Sequence, residues 1–217
     1  MKNNIYSLSI FKIALIIILL FGTNNLFAQL TEVAKRFDWP SRIIFIGDEL
    51  YVADANLNKV SKIDITRPEP VITDIVGIFR PWGLAYRGND LYIADSQQDI
   101  IVKRDLSIST PNTTGVLNIG NGAYLDGLHL VDNMLYVSFY EGNKVVKINI
   151  DDPIPVVTDV KTDLRGPAGL TFKDDELYIA EYDAGLIIKN DITNPSADAV
   201  TLATGMSSIE DSHFVGN

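Results

Sequence analysis

Apolar residues recur along this chain on a long period. The stretch Leu50-Tyr51-Val52-Ala53-Asp54 returns as Leu91-Tyr92-Ile93-Ala94-Asp95, as Leu135-Tyr136-Val137-Ser138-Phe139 and as Leu177-Tyr178-Ile179-Ala180-Glu181. A short run of apolar, β-branched and aromatic residues without alternation predicts a strand buried on both faces. Aligned on that run, an ungapped unit of 25 residues occupies Pro40–Asp64, Pro81–Asp105, Leu125–Asn149 and Pro167–Asp191, with start-to-start spacings of 41, 44 and 42. Periods of about 40 to 50 residues mark propellers and solenoids. Whether the unit is helical or made of strands decides between them.

Each unit opens on a short apolar strand, such as Gly83-Leu84-Ala85-Tyr86, and then turns through a polar segment. These turns are Gly47-Asp48-Glu49, Arg87-Gly88-Asn89-Asp90, Asp132-Asn133-Met134 and Lys173-Asp174-Asp175-Glu176. Gly, Asn and Asp tolerate the positive φ of tight hairpins. The repeated strand follows, then a polar loop, then a third strand such as Val60-Ser61-Lys62-Ile63 or Val145-Val146-Lys147-Ile148. The linkers supply a fourth, Val71 to Val76 and Val156 to Val160. No amphipathic helix is predicted after residue 28. The fold class is therefore all-β, a β-propeller of four-stranded antiparallel blades, with four blades and the start of a fifth.

The ends of the chain carry separate signals. Lys2 and Lys12 precede the apolar run Ile13 to Phe21, and a polar segment ends at Leu26-Phe27-Ala28. This pattern predicts a secretory signal peptide over residues 1–28 and a mature propeller domain over 29–217 beginning at Gln29. Export to the periplasm, cell surface or medium follows from it. The mature start, Leu30 to Pro40, matches the linker strand Val71 to Pro81 in length, so it is expected to close the ring as an outer strand. At the other end, Ile209 to Asn217 align with Pro40 to Asp48. The chain is thus expected to be the N-terminal part of a longer propeller; a closed four-bladed ring and a truncated gene fragment are the alternatives.

Composition removes several function classes. The formal net charge is −10, and −12 once a lysine-bearing signal is removed. Nucleic acid and anionic membrane surfaces require clustered Lys and Arg and are not expected partners. The chain has no cysteine, which excludes disulfides, thiol catalysis and thiolate zinc sites. No HExxH, nucleophile elbow or phosphate-cradling glycine loop is present. Catalytic residues are not assigned.

The pattern Pro81-Trp82-Gly83-Leu84-Ala85, then Leu91 to Asp95, then Ile101 to Asp105 resembles a blade of the NHL-repeat and gluconolactonase-like propeller superfamily. The resemblance covers nearly the whole mature chain. It implies that the ring is an incomplete six-bladed one, that the first strand of each blade lines a central channel and that ligands bind at the channel face. The second residue of each unit is then the candidate ligand-binding position: Ser41, Trp82, Asp126, Ala168 and Glu210. It also implies that a divalent cation, Ca²⁺ or Mg²⁺, could be held by Asp126 and Glu210 as oxygen ligands. The implied activity is that of a binding or interaction module for a small molecule, glycan or protein segment, with a metal-dependent lactone hydrolase as the alternative.

Recurrence separates structural from functional residues. Asp54, Asp95 and Glu181 end the repeated strand in three units, and Lys62, Lys103, Lys147 and Lys189 recur in all four. A catalytic group is needed once, so both sets are read as turn and ladder residues. Asp126 and His129 are three apart, which sends them to opposite faces of a regular strand.

Overall fold

The computed structural model describes residues 34–110, 112–120, 122–194 and 197–213, together with the backbone of β1 (Ile16–Ile17) and β2 (Thr31–Glu32). Residues 40–203 form four antiparallel four-stranded sheets, one per predicted unit. Blade 1 is β3 (Pro40–Ile46), β4 (Glu49–Asp54), β5 (Lys59–Asp64) and β6 (Val71–Gly77). Blade 2 is β7 (Pro81–Arg87), β8 (Asp90–Asp95), β9 (Ile100–Asp105) and β10 (Thr114–Asn118). Blade 3 is β11 (Leu125–Val131), β12 (Met134–Phe139), β13 (Lys144–Asn149) and β14 (Thr158–Lys161). Blade 4 is β15 (Pro167–Lys173), β16 (Glu176–Glu181), β17 (Leu186–Asp191) and β18 (Val200–Ala203). No helix occurs among the described residues.

The first hairpin of each blade turns where the sequence supplies a residue tolerant of positive φ. Gly47, Gly88, Asp132 and Asp174 all lie there, with φ between 53° and 64°. The fourth strand of blade 3 starts two residues later than the Val156 expected from sequence. Pro153 and Pro155 bracket Ile154, and a proline has no N–H to give a ladder.

The core lies between blades rather than within one. Tyr51, Ala53 and Val60 of blade 1 pack against Leu84, Leu91, Ile93 and Val102 of blade 2. The same layer recurs between blades 2 and 3, where Tyr92 and Ile101 meet Leu125, Leu128 and Leu135. It recurs again between blades 3 and 4, where Tyr136 and Val145 meet Leu170, Leu177 and Ile179. This explains the unalternated strand: Leu50 and Val52 face one way, Tyr51 and Ala53 the other, and all four are at most 3% exposed.

Every inner strand carries a β-bulge near its start. Leu125 pairs with Phe139 but Leu128 with Val137, so two residues oppose one. Equivalent shifts fall between Pro40 and Arg42, Pro81 and Leu84, and Pro167 and Leu170. A bulge of this kind bends the strand and resets which side chains face the channel. Three bulges hold a glycine whose missing Cβ is required by the neighbour. A Cβ on Gly83 would strike the Asp126 carbonyl, and one on Gly127 the Ala168 carbonyl. One on Gly169 would strike Asp211.

The recurring acids cap backbone, as their recurrence indicated. The Asp54 carboxylate accepts from the N–H groups of Asp38, Trp39 and Leu57 at 2.7, 3.2 and 2.9 Å. Asp95 accepts from Gln98 N–H, and Glu181 from Arg165 N–H. Blade 3 has Phe139 in that position. There Asp99 of blade 2 accepts instead from Gly122, Ala123 and Tyr124 N–H at 2.7, 3.1 and 2.7 Å. Three of the four recurring lysines pair with the hairpin acids, Lys62 with Glu49, Lys103 with Asp90 and Lys189 with Glu176; blade 3 carries Met134 at the acid's position.

In the N-terminal segment Thr31–Glu32 pairs with Ile16–Ile17. Ala34 and Phe37 pack on the Leu50, Val52 and Ile63 face of blade 1, the apolar face that no preceding blade covers. The remainder of the predicted signal peptide lies outside the described residues.

Candidate functional site

The four inner strands converge on a cleft of about 620 Å³. Its walls are mostly apolar, with Ile44 from β3, Leu84 from β7, Leu128 and Leu130 from β11 and Leu170 from β15. Its polar lining comes from Arg42, His129, Asp211 and His213. The lining runs along the inner strands toward the first-hairpin end, where Phe45 and Tyr86 stand at the rim. Both are exposed.

A charge cluster forms the floor. The Arg42 Nη2 donates to Asp126 Oδ1 at 3.2 Å, and Nη1 forms an ion pair with the Asp211 carboxylate. The Arg42 side chain is 10% exposed and that of Asp126 6%, whereas that of Asp211 is 47% exposed. Arg42 Nε is buried with no hydrogen-bond partner among the described residues. Burial pushes the Asp126 carboxyl up to about 7, against the pull of Arg42 and with the help of Glu210 and Asp211. Burial likewise raises Glu210, with Arg42 opposing. Burial lowers His129, so its imidazole is held toward the neutral form, while its hydrogen bond to the Leu170 backbone and the Asp211 charge work the other way. Burial opposes the charge on Arg42 too, but Asp211 and Asp126 outweigh it and leave the guanidinium above its usual value.

Of the five sequence-predicted positions, two meet at this floor. Asp126 and Glu210 act on one another and on Arg42. Ser41 ties blades together, donating to the Pro81 carbonyl at 2.7 Å and the Ala53 carbonyl at 3.3 Å. Trp82 is buried, edge-on to Tyr124. Ala168 is buried, and its carbonyl accepts from Ser138 Oγ at 2.6 Å.

Sequence reasoning passed over Arg42 and Asp211. The aligned units held the signal: the third position is Gly83, Gly127 and Gly169 in three units but Arg42 in the first and Asp211 after the fourth. The assignment of Asp126 and His129 to opposite faces is also corrected. The bulge between Leu125 and Leu128 inserts one residue, so Asp126 reaches the floor and His129 the wall of the same channel. His129 is coupled to Asp211 and His213 rather than to Asp126.

The donor set does not fit the divalent cation that the superfamily resemblance implied. Among the described residues no group of three or more His, Asp or Glu side chains converges as metal ligands. The Arg42 guanidinium already lies between the Asp126 and Asp211 carboxylates. The carboxylates that a metal ion would need are thus already turned onto the guanidinium.

No family model matches the chain, and no curated protein matches it. Solved structures do. A catalytically inactive histidine-to-alanine variant of virginiamycin B lyase from Staphylococcus aureus, with quinupristin, is 18% identical at a TM-score of 0.63, over 86% of this chain and 64% of that one. A chain of a nidogen/laminin complex is 16% identical at a TM-score of 0.69, over 85% of this chain and 72% of that one. A streptogramin B lyase is 16% identical at 0.58, over 75% of this chain and 53% of that one. This chain therefore spans less than two thirds of the length of either lyase. At such identities the likeness is one of fold, and the chain has the β-propeller fold that its repeats predict.

Proposed function

We propose that this protein is an exported binding module that holds an amphipathic small molecule in the channel cleft. The ligand's apolar body lies against Ile44, Leu84, Leu130 and Leu170, and its cationic or hydrogen-bond-donating head rests on the floor. The observation that carries this reading is a cleft whose walls are apolar and whose polar groups are gathered at one end, the usual form of a small-molecule site. Three carboxyl groups surround the single Arg42 guanidinium, so the floor favours a donor or a cation over an anion. Export is supported by Lys2 and Lys12 ahead of the apolar run Ile13 to Phe21, and by the polar segment that ends at Leu26-Phe27-Ala28. Mass spectrometry of the secreted protein reads that part directly: a chain beginning at Gln29 is expected, and an intact cytoplasmic chain refutes it.

The cleft is tested with dansylcadaverine, which joins an aromatic body to a primary ammonium. Saturable fluorescence enhancement is expected, abolished by Leu130→Trp, which fills the cleft from a half-buried wall position. Enhancement that is unaffected by Leu130→Trp, or absent altogether, defeats the reading.

A second reading, opening of a lactone, draws on one observation. A carboxyl group at about 7 is bonded to Arg42 at the cleft floor and a half-buried histidine lines the wall, the kind of groups that acid–base catalysis uses near neutral pH. Its test is acid release from gluconolactone. Turnover lost in Asp126→Asn supports it, and a rate equal to the spontaneous one removes it.

A further inference from the structure

The third strand of blade 2 buries a charge where the repeat elsewhere has none. Arg104 aligns with Ile63 of blade 1, Ile148 of blade 3 and Asn190 of blade 4. Both isoleucines are fully buried, and Arg104 is only 4% exposed. It stands opposite Leu91 on the neighbouring strand, and cross-strand partners share a face of the sheet. Its side chain therefore enters the apolar layer between blades 1 and 2 to which Leu91 belongs.

The guanidinium has neutral partners only. Nη1 donates to the Asp105 carbonyl and, at 3.3 Å, to Asn112 Oδ1, and Nη2 donates to the Ile108 carbonyl at 2.6 Å. Nε is buried with no hydrogen-bond partner among the described residues. Among those residues no carboxylate forms an ion pair with Arg104, because the acids around it are engaged elsewhere. Glu49 accepts from Lys62 at 2.6 Å and from Tyr51 Oη at 3.0 Å. Asp74 accepts from Lys59 at 2.9 Å and from Ser61 at 2.8 Å. Asp105, close enough to feel Arg104, is turned onto the Ser107 N–H and hydroxyl at 2.9 and 2.6 Å. Carbonyl and amide oxygens satisfy N–H groups without cancelling the charge, and a buried charge is costly unless an opposite one meets it.

That charge lines a recess of about 190 Å³ between β6 and the loop that joins β9 to β10, apart from the channel cleft. Arg104 and Tyr51 are its most buried lining residues. Ile75, Leu106 and Ile108 give it an apolar side, and Ser109 stands exposed at its mouth. Lys62 and Asp74 also reach it, but Glu49 and Lys59 already meet their charges. The lining selects a ligand. A guanidinium without an anion matches the planar fork of a carboxylate, and the apolar side favours an apolar body over a hydrated inorganic ion. A cavity of about 150 Å³ holds benzene, so this one has room for a single ring. We propose that the recess between blades 1 and 2 is a second binding site, taking a small carboxylate with one ring or a short apolar chain whose carboxylate pairs with Arg104.

The full chain is titrated with benzoate, followed by calorimetry and by the melting temperature. Saturable one-to-one binding is expected, with a melting temperature that rises with benzoate concentration. Arg104→Ile gives blade 2 the residue that blades 1 and 3 carry, and is expected to fold and to weaken binding about tenfold or more. Ser109→Trp, an exposed change that fills the mouth and keeps Arg104, is expected to weaken it as much, so the outcome does not hang on one variant. Leu130→Trp, which blocks the channel cleft, leaves benzoate binding unchanged, so failure here and failure of the cleft reading are distinguishable. The proposal is overturned by an absence of saturable binding, by an affinity unchanged in Arg104→Ile or in Ser109→Trp, or by loss of binding in Leu130→Trp, which places the ligand in the channel. Benzyl alcohol bound as tightly as benzoate overturns the role of the carboxylate, and phosphate bound in preference to benzoate overturns that of the apolar body.

Discussion

At the third position of the inner strand, blades 2, 3 and 4 carry Gly83, Gly127 and Gly169, whereas blade 1 carries Arg42 and the segment after blade 4 carries Asp211. The glycines let one inner strand approach the backbone of the next. The two charged residues occupy the same place in the repeat but reach each other across the channel. Position within a repeat therefore specifies backbone geometry, and the side chain placed there decides between packing and chemistry. Ser41 and Asp126 make the same point at the second position: one hydroxyl ties two blades together, while one carboxyl meets Arg42.

The largest effect expected from breaking this contrast is at Gly127. Gly127→Ala drives a methyl group into the Ala168 carbonyl of the next blade, and should cost about 3 kcal/mol or more by urea denaturation. Arg42→Met comes next. It leaves the Asp126 carboxyl buried without its cation, an expected loss of about 2 kcal/mol at pH 8 that shrinks at pH 5, where the carboxyl is protonated. A loss independent of pH would show that Arg42 acts through packing alone.

Asp126→Asn isolates the titration. With its carboxyl at about 7 when folded and about 4 when unfolded, the folded protein binds a proton that the unfolded chain has released. The stability this group contributes is full below about pH 4 and is lost as pH rises through 7. The asparagine variant should flatten that decline by about 1 kcal/mol or more between pH 5 and pH 8, read from denaturation midpoints across the range.

Gly169→Ala sharpens the comparison from the other side. Its Cβ would meet Asp211 and Glu210, in a segment outside any sheet ladder, so a cost of about 1 kcal/mol is expected. A cost equal to that of Gly127→Ala would mean the segment is held as firmly as a blade. The smallest effect belongs to the recurring ladder charges. Lys62→Met, which removes a partly exposed pair with Glu49, should change stability by no more than about 0.5 kcal/mol.

Much of the fold was legible because its causes are local. The hairpin turns follow from Gly47, Gly88, Asp132 and Asp174, whose φ preferences act within a few residues. The capping role of Asp54 followed from its recurrence, because every blade has backbone donors at that corner. The match in length between Leu30 to Pro40 and a linker strand, by contrast, does not say which apolar face the segment covers; Ala34 and Phe37 lie on blade 1.

The sequence by itself determined the unit, its four strands and their order, since a pattern of apolar strand and polar turn needs no partner to be read. The tertiary structure alone decided which side chains share the channel. Arg42 and Asp126 are 84 residues apart, and what joins them is ring curvature, together with a bulge that changes which face a strand residue takes. Trp82, Tyr124, Tyr140 and Tyr182 likewise form a row only once blades 2, 3 and 4 stand side by side. Periodicity survives in one dimension because it is written in neighbouring residues; a site assembled from single positions on separate blades is written only in their arrangement.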